Sequence, residues 1–219
     1  MQKKRLFLIH TSATLVPIFQ QLCADKLTGV DIFNIADDSL IKDCIARNQL
    51  TPANSRRVLG HVISAADGGA DMIMVTCSSI GAAVESAAQF VSVPVLRVDQ
   101  PMADRAVSTG SRIGVVATLP TTLNPTSDLV QRRANKAGKT ITVTPVLCEG
   151  AFDALMSGNA AAHDSMVSKA ILDLAGRVDV ILLAQASMAR VVSALPPDAG
   201  RPPILSSPTL AVEHLASIL

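Results

Sequence analysis

"GADMIMVTCSSIG" (residues 69–81) runs from a four-residue apolar stretch, Met72–Val75, through a cysteine and two serines to a glycine. A short continuous apolar run reads as a strand buried on both faces, as in a parallel sheet, and the small residues after it read as the turn into a helix. The pattern returns in "RVDVILLAQASMA" (residues 177–189), with Asp71 on Asp179, Cys77 on Gln185 and Ser79 on Ser187, each 108 residues apart (185 − 77 = 108). Two other segments keep nearly that offset. "LFLIHTSATLVP", ending at Pro17, matches "GVVATLPTTLNP", ending at Pro125, and "VPVLRVDQPMADRA" answers "PPILSSPTLAVEHL" with Met102 on Leu210 and Ala103 on Ala211. A single match between apolar strands carries no weight, but three in the same order at a shared offset indicate internal duplication.

Each half reads as alternating strands and helices. Strands are expected at residues 6–9, 30–35, 72–75 and 93–98, and again at 113–117, 140–146, 180–183 and 203–205. Longer helical patterns lie between them, such as residues 15–26 and 53–68. The expected fold class is α/β: two similar doubly wound parallel-sheet halves related by duplication, with the active site in the cleft between them. The expected division is residues 1–100 plus 209–219 for the first half and 101–208 for the second.

Composition narrows the function classes. Hydrophobic residues make up 49% of the 219, enough for a sizeable core, and the net charge is +1 with no basic run beyond Lys3-Lys4-Arg5, so nucleic acid is not the expected partner. With no Trp or Tyr there is neither a base-stacking platform nor an aromatic membrane belt. No apolar run approaches transmembrane length, and residues 6–9 are too short for a signal-peptide core, so a cytoplasmic protein is expected. The four cysteines show no CxxC spacing, which suggests neither a metal site nor a disulfide framework.

In doubly wound sheets ligands bind beyond the carboxyl ends of the strands. These ends fall at His10-Thr11-Ser12, at Asp37-Asp38-Ser39, at Thr76-Cys77-Ser78-Ser79, at Thr118, at Cys148-Glu149 and at Gln185-Ala186-Ser187. Clustered hydroxyls and helix-start N–H groups suit an anionic ligand, although any one Ser or Thr is explained as well by helix capping. Cys77, directly before a helix expected to begin near Ser79 or Ile80, is the candidate reactive thiol, its pKa expected to be lowered by the helix start. Cys23 and Cys44, on helices, read as inert filling, and so does Cys148.

Two duplicated halves, the Thr76-Cys77-Ser78-Ser79 segment after the third strand and "IGVVATLPTT" (residues 113–122) opening the second half together resemble the aspartate/glutamate/hydantoin racemase superfamily over essentially the whole chain. The resemblance implies cofactor-independent enzymes in which two cysteines, one per half, remove and return the proton α to a substrate carboxylate. Cys77 matches the first family cysteine, Ser78 and Ser79 stand where glutamate racemases carry Asn and Thr, and Thr118 fits the second-half Ala-Thr pair. The second motif, Gly-Cys-Thr-His in glutamate racemases, corresponds to Ala184-Gln185-Ala186-Ser187. Gln185 therefore replaces the second cysteine, and a carboxamide does not titrate near neutral pH. The acidic residue that glutamate racemases carry after the first strand is also missing. The resemblance further implies that the helix near residues 102–109 and the closing segment 209–219 cross to the opposite halves, and it leaves a homodimer or higher homo-oligomer open.

The leading expectation is proton transfer at the α-carbon of a small carboxylate, with Cys77 as the single acid/base and Thr11, Ser12, Ser78, Ser79, Thr118, Gln185 and Ser187 as substrate-binding donors. His10 is the candidate for a second acid/base, since it titrates near neutral pH and stands at a strand end. The alternatives are a single-cysteine decarboxylase, a cis-trans isomerase in which the thiol adds to a conjugated double bond, and a non-catalytic carboxylate-binding protein, which Gln185 favours.

Overall fold

The computed structural model describes residues 3–195 and 201–219. The chain divides into two compact units, one comprising Met1–Gln100 with Pro208–Leu219 and the other Pro101–Ser207. The first unit contains β1 (Lys4–His10), α1 (Leu15–Lys26), β2 (Val30–Ala36), α2 (Asp38–Arg47), α3 (Pro52–Asp67), β3 (Met72–Val75), α4 (Gly81–Ala87) and β4 (Val95–Arg97). The next helix, α5 (Gln100–Thr109), starts at the boundary and belongs almost wholly to the second unit. There it is followed by β5 (Arg112–Ala117), α6 (Pro120–Lys136), β6 (Thr142–Leu147), α7 (Ala151–Met156), α8 (Ala160–Ala175), β7 (Val180–Leu183), α9 (Ala189–Ala194) and β8 (Ile204–Ser206). Past its first residue, α10 (Ser207–Ile218) is part of the first unit.

Each unit carries a four-stranded parallel sheet, in the order β2-β1-β3-β4 in the first and β6-β5-β7-β8 in the second. The two orders are the same. Leu6 pairs with Met72 and Ile113 with Val180, so the offset between the units is 107 at the first strand (113 − 6) and 108 at the third (180 − 72). Thr11 is thereby the counterpart of Thr118, and Cys77 that of Gln185.

The central strands are apolar on both faces because both faces are covered. In the first unit Phe7, Ile9, Ile73 and Val75 pack with Leu40 of α2, Val58 and Val62 of α3 and Val84 of α4. Their neighbours in the strands, Leu6, Leu8, Met72 and Met74, face the other way onto Phe19 and Cys23 of α1 and onto Ala211, Val212 and Leu215 of α10. The period of two along each strand thus sorts residues between two cores. In the second unit Val116, Ile181 and Leu183 pack with Val167, Ile171 and Leu174 of α8.

Asp71 and Asp179, aligned by the duplication, serve the scaffold. Asp71 accepts the Arg5 N–H at 2.8 Å, and Asp179 accepts the N–H groups of Ser111 at 3.0 Å and Arg112 at 2.8 Å. Both therefore pin the amino end of a first strand to its neighbour, at the end of the sheet opposite to the candidate site. No described helix is long and apolar enough to cross a membrane.

Candidate active site

Cys77 stands where β3 leaves its sheet, in extended conformation (φ −132°, ψ 120°), ahead of a 3-10 turn at Ser78–Ile80. The α-helix begins only at Gly81, slightly later than the sequence suggests, because this tighter turn intervenes. Thr76, Ser78 and Ser79 are buried, whereas Cys77 is half-buried and packs one side against the core of its unit. Its sulfur is reached by hydrogen bonds from the Thr11 hydroxyl, from the N–H and hydroxyl of Ser79 and from the Ile80 N–H.

Those donors favour a thiolate, yet burial dominates and pushes the Cys77 thiol above its ordinary value. The expected lowering by the helix start is therefore corrected. Removing water around the sulfur costs the thiolate more than the turn's donors return. Cys23, Cys44 and Cys148 are all buried, and burial lifts Cys23 and Cys148 to about 11.

The second unit repeats the arrangement with different chemistry. Gln185 Oε1 accepts from the Thr118 N–H at 2.6 Å and from its hydroxyl at 2.9 Å. A backbone N–H can only donate, so this pair fixes the orientation of the carboxamide and leaves its NH2 group for another acceptor. The duplicated element is a threonine at the end of the first strand bonded to the residue at the end of the third: Thr11 to Cys77, Thr118 to Gln185.

Thr121, the second residue of α6, was not evident from the sequence. Its hydroxyl oxygen is buried without a hydrogen-bond partner among the described residues. A buried hydroxyl in that state carries a desolvation cost. The signal available in the sequence was the Thr121-Thr122 pair close behind Thr118.

Other expected residues are less well placed. The half-buried Ser12 hydroxyl bonds Thr14 Oγ1 at 2.7 Å, and Ser187 is exposed. His10 is fully buried, with Nδ1 2.9 Å from Thr76 Oγ1 and Nε2 3.0 Å from Asn34 Oδ1. Burial lowers its pKa, against a smaller opposing effect from Asn34. Both nitrogens are thus engaged and the ring has no exposed surface, and His10 links β1 to Asn34 of β2 and to Thr76 after β3.

Asp37 caps α2 and is likewise committed. It accepts from the Ser39 hydroxyl at 2.7 Å and from Arg57 at 2.5 Å, and lies 2.9 Å from His61 Nε2. Burial alone would raise its pKa, but these bonds outweigh it and hold the carboxyl at about 2. The folded pKa is depressed, so the stabilisation is present above the unfolded value and is lost as pH falls through the folded one. In acid titrations followed by circular dichroism, Asp37→Asn should lose less stability than wild type between about pH 4 and pH 2. Equal losses would mean that the network does not stabilise the fold. Asp38 pairs with Lys42, and Glu149 is exposed.

Comparison with known proteins follows from this geometry. A sequence profile described as Asp/Glu/Hydantoin racemase matches residues 6–215. Among solved structures, glutamate racemase isoform RacE1 from Bacillus anthracis superposes with a TM-score of 0.72 at 18% identity, covering 100% of this chain and 82% of that one. Allantoin racemase from Klebsiella pneumoniae gives 0.67 at 16%, covering 99% and 87%, and aspartate racemase from Picrophilus torridus gives 0.68 at 12%, covering 98% and 94%. No curated protein matches the chain. At these identities the superpositions establish the fold alone, and the profile establishes the family: the chain belongs to the Asp/Glu/hydantoin racemases.

Proposed function

We propose that the protein is a cofactor-independent enzyme that transfers a proton at the α-carbon of a small carboxylic acid, with Cys77 as its one acid/base. The observation that carries this reading is the asymmetry of the duplicated turns. One presents a partly buried thiol among four hydrogen-bond donors, and its counterpart presents a carboxamide that cannot titrate. Thr11 and Ser79 serve the sulfur, while Thr118 and the Gln185 NH2 are the donors that the second unit offers to an anionic group. Preorganised donors of this kind are each worth roughly 3 kcal/mol in the transition state.

The raised thiol pKa supports a second version within the same chemistry. A resting acid suits an enzyme whose enolate arises by loss of CO2 and is then protonated from one side, the thiolate being reprotonated by water. Proton exchange in deuterated water over a panel of 2-substituted carboxylates and malonates, followed by NMR, tests both versions. Label at the α-carbon with retained optical purity supports one-face transfer, and conversion of a malonate to a labelled monoacid supports the decarboxylase. Tight binding of panel members with neither exchange nor turnover would favour a carboxylate-binding protein instead.

Thr121 gives an independent check. Thr121→Val removes a hydroxyl that has no partner among the described residues, so thermal stability should hold or rise by about 1 kcal/mol. If Thr121 is a substrate donor, turnover should nevertheless fall by about 10- to 100-fold. Unchanged turnover would remove it from the site.

A further inference from the structure

Arg97 is an arginine buried to 4% exposure, and its partner Asp99 is buried completely. The guanidinium holds Asp99 through two bonds, Nε to Oδ1 at 3.0 Å and a terminal nitrogen to Oδ2 at 2.8 Å. Its other terminal nitrogen donates to Glu85 of α4 at 2.7 Å. A buried ion pair is seldom the most stabilising way to fill a core, so its place in the fold asks for another reason.

That place brackets the Cys77 turn. Arg97 lies opposite Val75 in the sheet, and Val98 N–H donates to the Val75 carbonyl at 3.0 Å, which fixes the chain just before Thr76. The guanidinium lies against the backbone of Gly81, just after Ile80: a Cβ built on Gly81 would fall 2.2 Å from Cζ. The backbone at Arg97 and Val98 thus holds the chain just before the five residues 76–80, and the Arg97 guanidinium meets it just after them; these residues carry the thiol and two of its donor residues. The duplication supplies a comparison. In the second unit Ser206 lies opposite Leu183, the counterpart of Val75, so Ser206 takes the place of Arg97, and Ala189 takes that of Gly81. Arginine with glycine in one unit and serine with alanine in the other is a matched pair of exchanges, and the guanidinium stands in the unit that has the cysteine.

We propose that Arg97, held by Asp99 and received by Gly81, is a positioning residue for Cys77: it sets the 76–80 turn so that the donors of Ser79 and Ile80 converge on the sulfur. The proposal rests on the reading of Cys77 as the reacting thiol, but its test does not need the substrate. The other three cysteines are buried, so iodoacetamide alkylation of the native protein reports on Cys77. Two variants loosen the clamp at different points: Glu85→Gln weakens its tie to α4, and Gly81→Ala displaces the guanidinium.

With far-UV circular dichroism unchanged, each variant should move the pH midpoint of Cys77 alkylation up by about half a unit or more, because a loosened turn withdraws the Ser79 and Ile80 donors that favour the thiolate. Wild-type midpoints in both folded variants would overturn the proposal. Should Gly81→Ala fail to fold, Glu85→Gln decides alone, since Glu85 is partly exposed and its loss leaves the Arg97–Asp99 pair intact. If instead Cys77→Ser kept full turnover on a substrate found with the panel, the catalytic reading would fail while the alkylation result stood, so the two failures are distinguishable.

Discussion

Cys77→Ser should lower α-proton exchange by about 1,000-fold while leaving the fold intact. The substitution keeps the side chain's shape and its ability to accept from Thr11, Ser79 and Ile80, and takes away only a group that titrates within reach of neutral pH. Serine's hydroxyl neither yields nor takes a proton at comparable cost. Because Cys77 is half-buried and smaller than most core residues, its replacement should shift stability by no more than about 1 kcal/mol. Deuterium uptake by NMR and a thermal melt on the same sample separate the two effects. Residual exchange within a few-fold of wild type, in a folded variant, would sink the assignment. The pH profile carries a second signature: if the thiol acts first as an acid, the wild-type rate should stay level through neutral pH and fall as pH rises through a midpoint above the ordinary thiol range, the direction set by burial.

The scaffold was legible in the sequence to an unusual degree because duplication doubles every signal. Met72–Val75 and Val180–Leu183 are found where the apolar runs placed them, and α1 spans the expected residues 15–26. Legibility failed where the outcome depends on the balance of two opposing effects. Cys77 was read from its place before a helix, which indicates a stabilised thiolate, but the amount of water excluded from the sulfur is a property of packing that no local pattern records, and it reverses the direction. The surroundings of His10 were hidden for a related reason. Its position at a strand end is visible in the sequence, whereas Asn34 on the next strand and Thr76 on another, which occupy its two nitrogens, are brought there only by the sheet. Thr121 was missed because an unpartnered hydroxyl is defined by what does not surround it.

Gln185→Cys should give the enzyme a second base and turn one-face exchange into racemisation. The sheet registers make residue 185 the counterpart of Cys77, and Thr118 directs an N–H and a hydroxyl at the end of its side chain, as Thr11 directs its hydroxyl at Cys77; a sulfur would stand at the Cγ position, on the same side but two bonds short of Oε1. A thiol there would receive the same kind of stabilisation when ionised, and a group with a pKa within reach of neutral pH would stand where a non-titrating amide stands now. Chiral chromatography of the product should show loss of optical purity, with the second-face rate reaching at least about 1% of the first, since positioned acid–base groups contribute about 100-fold or more. Gln185→Ser is the control: it has the shape of the cysteine without a group that titrates near neutral pH, and it gives up the NH2 donor, so it should weaken substrate binding without the stereochemical change that the cysteine brings. A folded Gln185→Cys protein whose product stayed optically pure, with the new thiol shown by alkylation to be reactive, would mean that residue 185 does not face the second side of the substrate. The one-base reading would then lose the explanation that the duplication gives it.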